Sequence, residues 1–390
     1  MAMSALLPVY RRSSITIDRG EGVYLYATDG TRYLDFAAGI AVNALGHSHP
    51  HLVAALKEQA EKLWHCSNMY FHPGLLPFAD KLIASCFADK VFFCNSGSEA
   101  VEAGLKMSRK YFDSIGKPER YRFITFEGGF HGRSLTCISA GGKAIARDGY
   151  APLVEGFDRV AFNDLAAVSA AISHETAGIL VEAIQGEGGV READIEFLQG
   201  LRALCDAHGL LLYLDEVQSG MGRTGTFFAH EHAAITPDLV SVAKGIGNGF
   251  PLAALLTTDT VAACMKPGTH GSTYGANPLA MAVGNAVLDV LMAPGFMTQV
   301  ATVGSQLKQG LLALQGRFPQ VIREVRGRGL MLGLQTAGPR MELVEALRSN
   351  GLLTSPAEDN VVRIVPPLII ESTHVEEALA ILHQTCEGWV

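Results

Sequence analysis

Asp215 closes the apolar run LLLYLDE, and Lys244 follows the apolar run LVSVA. Both runs read as short buried strands of a parallel sheet. An amine and a carboxylate at the carboxyl ends of neighbouring parallel strands can do one particular piece of chemistry: the amine condenses with an aldehyde, and the carboxylate holds the proton of a pyridine nitrogen. Those are the two needs of a pyridoxal phosphate site. A buried aspartate is costly unless its charge is paired, and a protonated pyridine is one such partner. Without Lys244, an aspartate capping the next turn would be the simpler account. Val217 and Gln218 follow in LDEVQ, where they would face such a ring and donate to its phenolic oxygen.

Other stretches carry matching chemistry, each with a plainer reading beside it. In NSGSEAVEAGLKMSRKYF, a strand runs into small residues and then into good helix formers. Ser96, Gly97 and Ser98 with the exposed amides there make a phosphate cradle, or else an ordinary N-cap. EGGFHGRSL offers Phe130 and His131 to cover or flank a flat ring, and Arg133 as a two-pronged fork for a carboxylate; a solvated loop arginine would look the same. VEAIQGEGGV sets Glu182, Gln185 and Glu187 at a strand end. Glycines around Glu187 read as freedom to move, or simply as a turn. His47, His49 and His51 in GHSHPH lack nearby cysteine or carboxylate partners, so no metal site is assigned.

To bring these residues together the chain must alternate strands and helices. From about residue 50 to 290 the apolar runs VFFCN, RFITF, AGILVEAI, LLLYLDE, LVSVA and AALLTT are separated by helical segments, which implies an α/β fold with a mostly parallel sheet covered on both faces. VYLYATDGTRYLDF alternates about an Asp-Gly turn and reads as a hairpin. The later runs GLMLGLQT and VVRIVPPLII are strand-like. The expected division is residues 1–45 as an N-terminal segment of a small α+β domain, 46–290 as the large domain, and 291–390 as the rest of the small one.

With 390 residues, a formal net charge of −8 and 18% charged residues, the chain has core enough for two domains and no concentrated basic surface for nucleic acid or anionic lipid. Seven cysteines, none in a CxxC pair, read as reduced thiols of a cytoplasmic protein. MAMSALLPVYRRSS places its arginines after a short apolar run, the reverse of a secretory signal, and no run approaches a membrane span.

Taken in order, GIAVNALGHSHP, NSGSEA, FHGRSL, QGEGG, LDEVQSGMGRTG, AKGIGNGFPLAA, HGSTYGANPLA and RGRGLMLG resemble the class III, fold-type I aminotransferases from about residue 10 to the C-terminus. DGYAPLVEGF and GLLTSPAEDNVVRIVPPLII are similar to the members acting on N-acetylornithine. The resemblance implies a large domain with a mostly parallel seven-stranded sheet, pyridoxal phosphate as cofactor, and a homodimer with shared active sites. It further implies that Lys244 binds the cofactor covalently and later moves a proton. By the same resemblance Asp215 pairs with the pyridine nitrogen, Gln218 contacts the phenolic oxygen, and Phe130 and Val217 sandwich the ring. Ser96, Gly97, Ser98 and His131 join the cofactor set, and Thr273 reaches the partner subunit's phosphate. Arg133, Arg363 and Ser272 fall to substrate, with Glu187 as a carboxylate that covers Arg363 or swings away. Ser98 stands where threonine is common in the family, and Ala183 where proline is common.

The implied reaction passes the terminal amine of N-acetylornithine to 2-oxoglutarate. Succinylornithine, ornithine, 4-aminobutyrate and succinyl-diaminopimelate are the competing amines. A fold kept for anion binding or scaffolding without catalysis is the reading from another class, and the lysine, aspartate and arginine set weighs against it.

Overall fold

A computed structural model of the chain describes residues 5–389; Met1–Ser4 of the N-terminal stretch and Val390 lie outside the described residues. The middle of the chain is built on a seven-stranded sheet in the order Lys90–Cys94, Ala253–Thr257, Leu239–Val242, Leu211–Asp215, Thr176–Val181, Arg122–Phe126 and Phe157–Val160. Six strands correspond to the apolar runs. Phe157–Val160 at the sheet edge does not, because FDRV is short and half polar, as an edge strand that keeps one side near water can be. Ala253–Thr257 runs antiparallel to both neighbours. An apolar run reports burial on two faces but not direction.

Leu211–Asp215 shows why these strands are apolar throughout. Leu212 and Leu214 pack into one apolar cluster and Leu211 and Tyr213 into another, on opposite sides of the sheet. Asp215 pairs in register with Ser241 on the parallel strand Leu239–Val242. The chain leaving Val242 therefore delivers Lys244 to the edge where Asp215 ends, the end at which open α/β sheets bind ligands. Because Ala253–Thr257 runs the other way, its entrance, Phe250 to Leu252, arrives at this same edge.

The helix Gly97–Ser114 is seated by one polar contact. The buried Tyr213 hydroxyl donates to the carbonyl of Ala100 at 3.1 Å, and Gly104 leaves it room, since a Cβ there would lie 2.3 Å from that oxygen. The close approach sets the helix N-terminus beside the strand ends.

The first and last parts of the chain hold two antiparallel-rich sheets. Tyr24–Ala27 and Arg32–Asp35 form the expected hairpin, extended by Ile17–Glu21 on one side and by Leu352–Leu353 on the other, so the two ends of the chain share a sheet. Ile322–Arg328, Met331–Thr336, Val361–Ile364 and Ser355–Ala357 form the second. In VVRIVPPLII only the first four residues are strand. Arg223, buried with no carboxylate partner among the described residues, donates to the carbonyls of Leu330 and Pro366 and ties the middle of the chain to this sheet. His47 bonds Asp35 and His51 bonds Asp289, so these imidazoles serve separate packing contacts. The seven cysteines are unpaired, and among the described residues no single helix is long and apolar enough to cross a membrane.

Candidate active site

A cavity of about 380 Å³ opens at the carboxyl edge of the sheet, and Asp215, Lys244, Phe130, Val217 and the Ser96–Ser98 turn line it. Asp215 is buried at its floor. One carboxylate oxygen is 2.8 Å from His131 Nδ1, and the other accepts the Val217 N–H at 3.1 Å. Burial pulls the His131 imidazole down, but the bond and charge of Asp215 outweigh it and leave the ring raised above its ordinary value. The aspartate is therefore aimed, with an imidazole behind it and the cavity in front.

Lys244 begins a single helical turn, with a left-handed φ of 49°, a conformation uncommon for a side chain of this size. Burial lowers its amine to about 8, Arg363 pushes the same way, and Glu187, Asp215 and Glu182 oppose. An amine that is partly neutral near pH 8 can act as a nucleophile and as a base.

At the other end of the cavity the cap and cradle readings are both realised. Ser96 accepts the Glu99 N–H as N-cap. Gly97 passes close under Val217, where a Cβ would lie 2.8 Å from the side chain. Ser98 Oγ accepts the N–H groups of Arg133 and Ser134 at 3.0 and 3.2 Å. The same hydroxyl stands at the start of the helix Gly97–Ser114, where exposed amides would meet an anion. A flat aromatic group bearing a phosphate would lie between Phe130 and Val217 with its charged end here.

Behind Gln218, which lines the cavity, lies a charge pair. Arg363, fully buried on Val361–Ile364, is 2.8 Å from Glu187 and donates to Gln218 Oε1 at 3.1 Å and Ser355 Oγ at 3.2 Å. Gln218 thus spends its carbonyl on Arg363 and keeps its amide N–H groups for the cavity. Burial would raise the Glu187 carboxyl, but the charges of Arg363 and then Lys143 outweigh it and hold it at about 2. The glycines beside Glu187 do not confer the freedom expected of them. A Cβ on Gly186 would strike Gln218 at 2.4 Å, one on Gly188 would strike the Gly128 carbonyl at 2.6 Å, and the Glu187 carbonyl accepts the Glu358 N–H. They are close-approach glycines, and movement is left to the Glu187 side-chain torsions.

Arg133 is exposed at the mouth, 5.4 Å from the centre of the Phe130 ring, without a carboxylate partner among the described residues. Ser272 and Thr273 do not line the cavity of their own chain. The Ser272 hydroxyl accepts from Asn95 and from the Gly275 N–H, closing its own loop, and Thr273 faces outward. Ala183 is buried and its carbonyl accepts the Ala193 N–H, so packing supplies the rigidity that a proline would have given.

Glu182 is the functional neighbour that motif reading left without a role. It accepts the N–H groups of Phe130 and Gly186 and so pins the ring-bearing loop. Burial lifts it to about 7, with His131 opposing and Asp215 adding to the rise. A lone acid at the end of the apolar run AGILVEAI was its sequence signal. Val42, from the N-terminal segment, and Phe250 complete the walls and carried none.

Residues 8–386 match the family described as aminotransferase class-III. The chain is 55% identical to the acetylornithine aminotransferase of Agrobacterium fabrum over 379 residues, 97% of this chain and 95% of that one. Among solved structures, the N-acetylornithine aminotransferase of Stenotrophomonas maltophilia K279a is 39% identical, with a TM-score of 0.85 and 97% of each chain covered. The ornithine aminotransferase of Toxoplasma gondii ME49 superposes with a TM-score of 0.95 at 31% identity, over 99% of this chain and 93% of that one. Overall shape is therefore shared across different amine donors.

Proposed function

The chain belongs to the class-III aminotransferases, pyridoxal phosphate enzymes, and we propose that it moves the terminal amine of N2-acetyl-L-ornithine to 2-oxoglutarate, giving N-acetylglutamate 5-semialdehyde and L-glutamate. The observation that carries this reading is the pair of buried Arg363 and half-buried Glu187 behind the cavity-lining Gln218, with a second arginine, Arg133, unpaired at the cavity mouth among the described residues.

The residues fit the cofactor. A buried carboxylate is aimed into the cavity for the ring nitrogen, an amine lies beside it, and a helix N-terminus with the Ser98 hydroxyl suits the phosphate. When bound, pyridoxal phosphate supplies the aldehyde that captures the amine and the ring that takes up electrons from the substrate's terminal carbon. Asp215, backed by His131, would pair with the ring nitrogen, and Phe130 and Val217 would flank the ring. Lys244, with its amine lowered to about 8, is placed to take a proton from the substrate's terminal carbon and hold it on Nζ.

The two half-reactions place carboxylates differently. Acetylornithine has none beside its reacting carbon, so Arg363 would be a buried unpaired charge, and Glu187 covers it. Glutamate brings an α-carboxylate there, and Glu187 turns aside. Arg133 takes the remote carboxylate in both cases, the α-carboxylate of acetylornithine or the side chain of glutamate.

A homodimer with shared sites belongs to this proposal. Trp64, Met69, Tyr70, Phe71 and Tyr274 form an exposed apolar group, and Asn68 binds the carbonyls of Ser272 and Gly275 beside Thr273. A second copy seated there would bring Thr273 to its neighbour's phosphate. Residues 1–45 and 291–390 make up the small domain, 46–290 the large one, and arginine biosynthesis in the cytoplasm is the setting.

Single-turnover assays with acetylornithine, succinylornithine, ornithine and 4-aminobutyrate test the donor. Acetylornithine should give the highest kcat/KM; free ornithine matching it would overturn the assignment. If Glu187→Gln left both half-reactions unchanged, the switch would fail.

A further inference from the structure

Glu187 is held by two cations. Arg363 is 2.8 Å from one of its oxygens, and Lys143 Nζ is 3.2 Å from the other. The two partners are not alike. The Arg363 side chain is 1% exposed and bonds Gln218, which lines the cavity, whereas Lys143 is 15% exposed and stands 3.6 Å from the more exposed Glu358 and 5.7 Å from the centre of the Phe130 ring. Lys143 ends the stretch that begins with the Phe130 loop, and the Gly142 preceding it is clamped, since a Cβ there would lie 2.4 Å from the Gly128 nitrogen. Its backbone is thus fixed relative to the cavity wall.

A carboxylate released from Arg363 with no second cation would remain partly buried and alone, and that penalty would oppose release. With Lys143 already in contact, Glu187 can give up Arg363 by a side-chain rotation and still keep a charge partner. We propose that Lys143 is a positioning residue that receives the Glu187 carboxylate when Arg363 is taken by the α-carboxylate of glutamate, and so sets the balance between the two substrates. The inference rests on the switch reading above.

The test is single-turnover kinetics of each half-reaction in the cofactor-loaded enzyme, with K143Q, K143R, E187Q and the K143Q/E187Q double variant. In K143Q the half-saturating concentrations of glutamate and 2-oxoglutarate should rise roughly tenfold, with limiting rates little altered and acetylornithine shifted by less than about twofold. K143R should restore most of the loss. In the E187Q background the same lysine substitution should add nothing. An equal loss in both half-reactions, no loss at all, or a loss that persists without the Glu187 carboxylate would each overturn the role of Lys143. E187Q with unchanged half-reactions would instead sink the switch itself.

Discussion

Two arginines, proposed to take carboxylates, lie at the cavity mouth and behind its wall, and they live under opposite conditions. Arg363 is sealed behind the wall, bonded to Glu187, Gln218 and Ser355, while Arg133 lies in solvent against the edge of the site with no acidic partner among the described residues. Water screens an exposed guanidinium at little cost, but a buried one needs a permanent counter-charge. On the proposed reading, only the inner position requires a carboxylate that can come and go, and only there does an acid, Glu187, stand beside the arginine. The contrast teaches that accepting two differently charged substrates is a problem of burial rather than of charge as such.

The most damaging way to break the contrast is Arg363→Ala. Removing one member of a buried charge pair costs about 2–5 kcal/mol, so half-saturation by glutamate should rise at least ~30-fold, with the acetylornithine half-reaction far less affected. Equal damage to both would mean that the arginines are not divided as described. Arg133→Ala should be milder and even-handed, raising half-saturation for both substrates by roughly tenfold, more at low salt than at high salt. A salt-independent loss confined to one substrate would contradict the exposed, shared role.

A third measurement sharpens the comparison by looking at acids instead. Glu187, flanked by cations, is held at about 2, whereas Glu182, beside Asp215, is lifted by burial to about 7. For Glu182 the folded state holds a proton that the unfolded chain has lost between its ordinary 4.5 and about 7, so its contribution falls as pH rises through that window. For Glu187 the sign reverses: its stabilisation is present above 4.5 and is lost as pH falls toward about 2. Melting curves of cofactor-free Glu182→Gln should show a smaller drop in Tm from pH 5 to pH 8 than the unmodified protein. An unchanged drop would mean that Glu182 does not titrate there.

What could be read from the chain follows from how each feature is written into it. Asp215 and Lys244 each close an apolar run, and a strand end is visible locally, so the meeting of this carboxylate and amine at one cavity and most of the sheet were legible. The reversed strand Ala253–Thr257 was not, since direction depends on where the neighbours lie. Neither was the placement of Val42 or Phe250, which reach the cavity from distant segments. The glycines around Glu187 were seen but misread, because a sequence does not distinguish a glycine that moves from one that lets another chain segment come near. Lys143 is a single cation in an unremarkable stretch, and only the fold gives it a neighbour.

The oxygen of Ser98 has two tenants, the backbone that carries Arg133 and the anion cradle at the helix start. On the proposed assignment, coenzyme retention and remote-carboxylate recognition hang from one hook. A laboratory redesign that lengthens or reshapes the Arg133 loop to admit bulkier acyl amines would loosen the vitamin's grip at the same time, so new anchorage has to be installed before donor scope is widened.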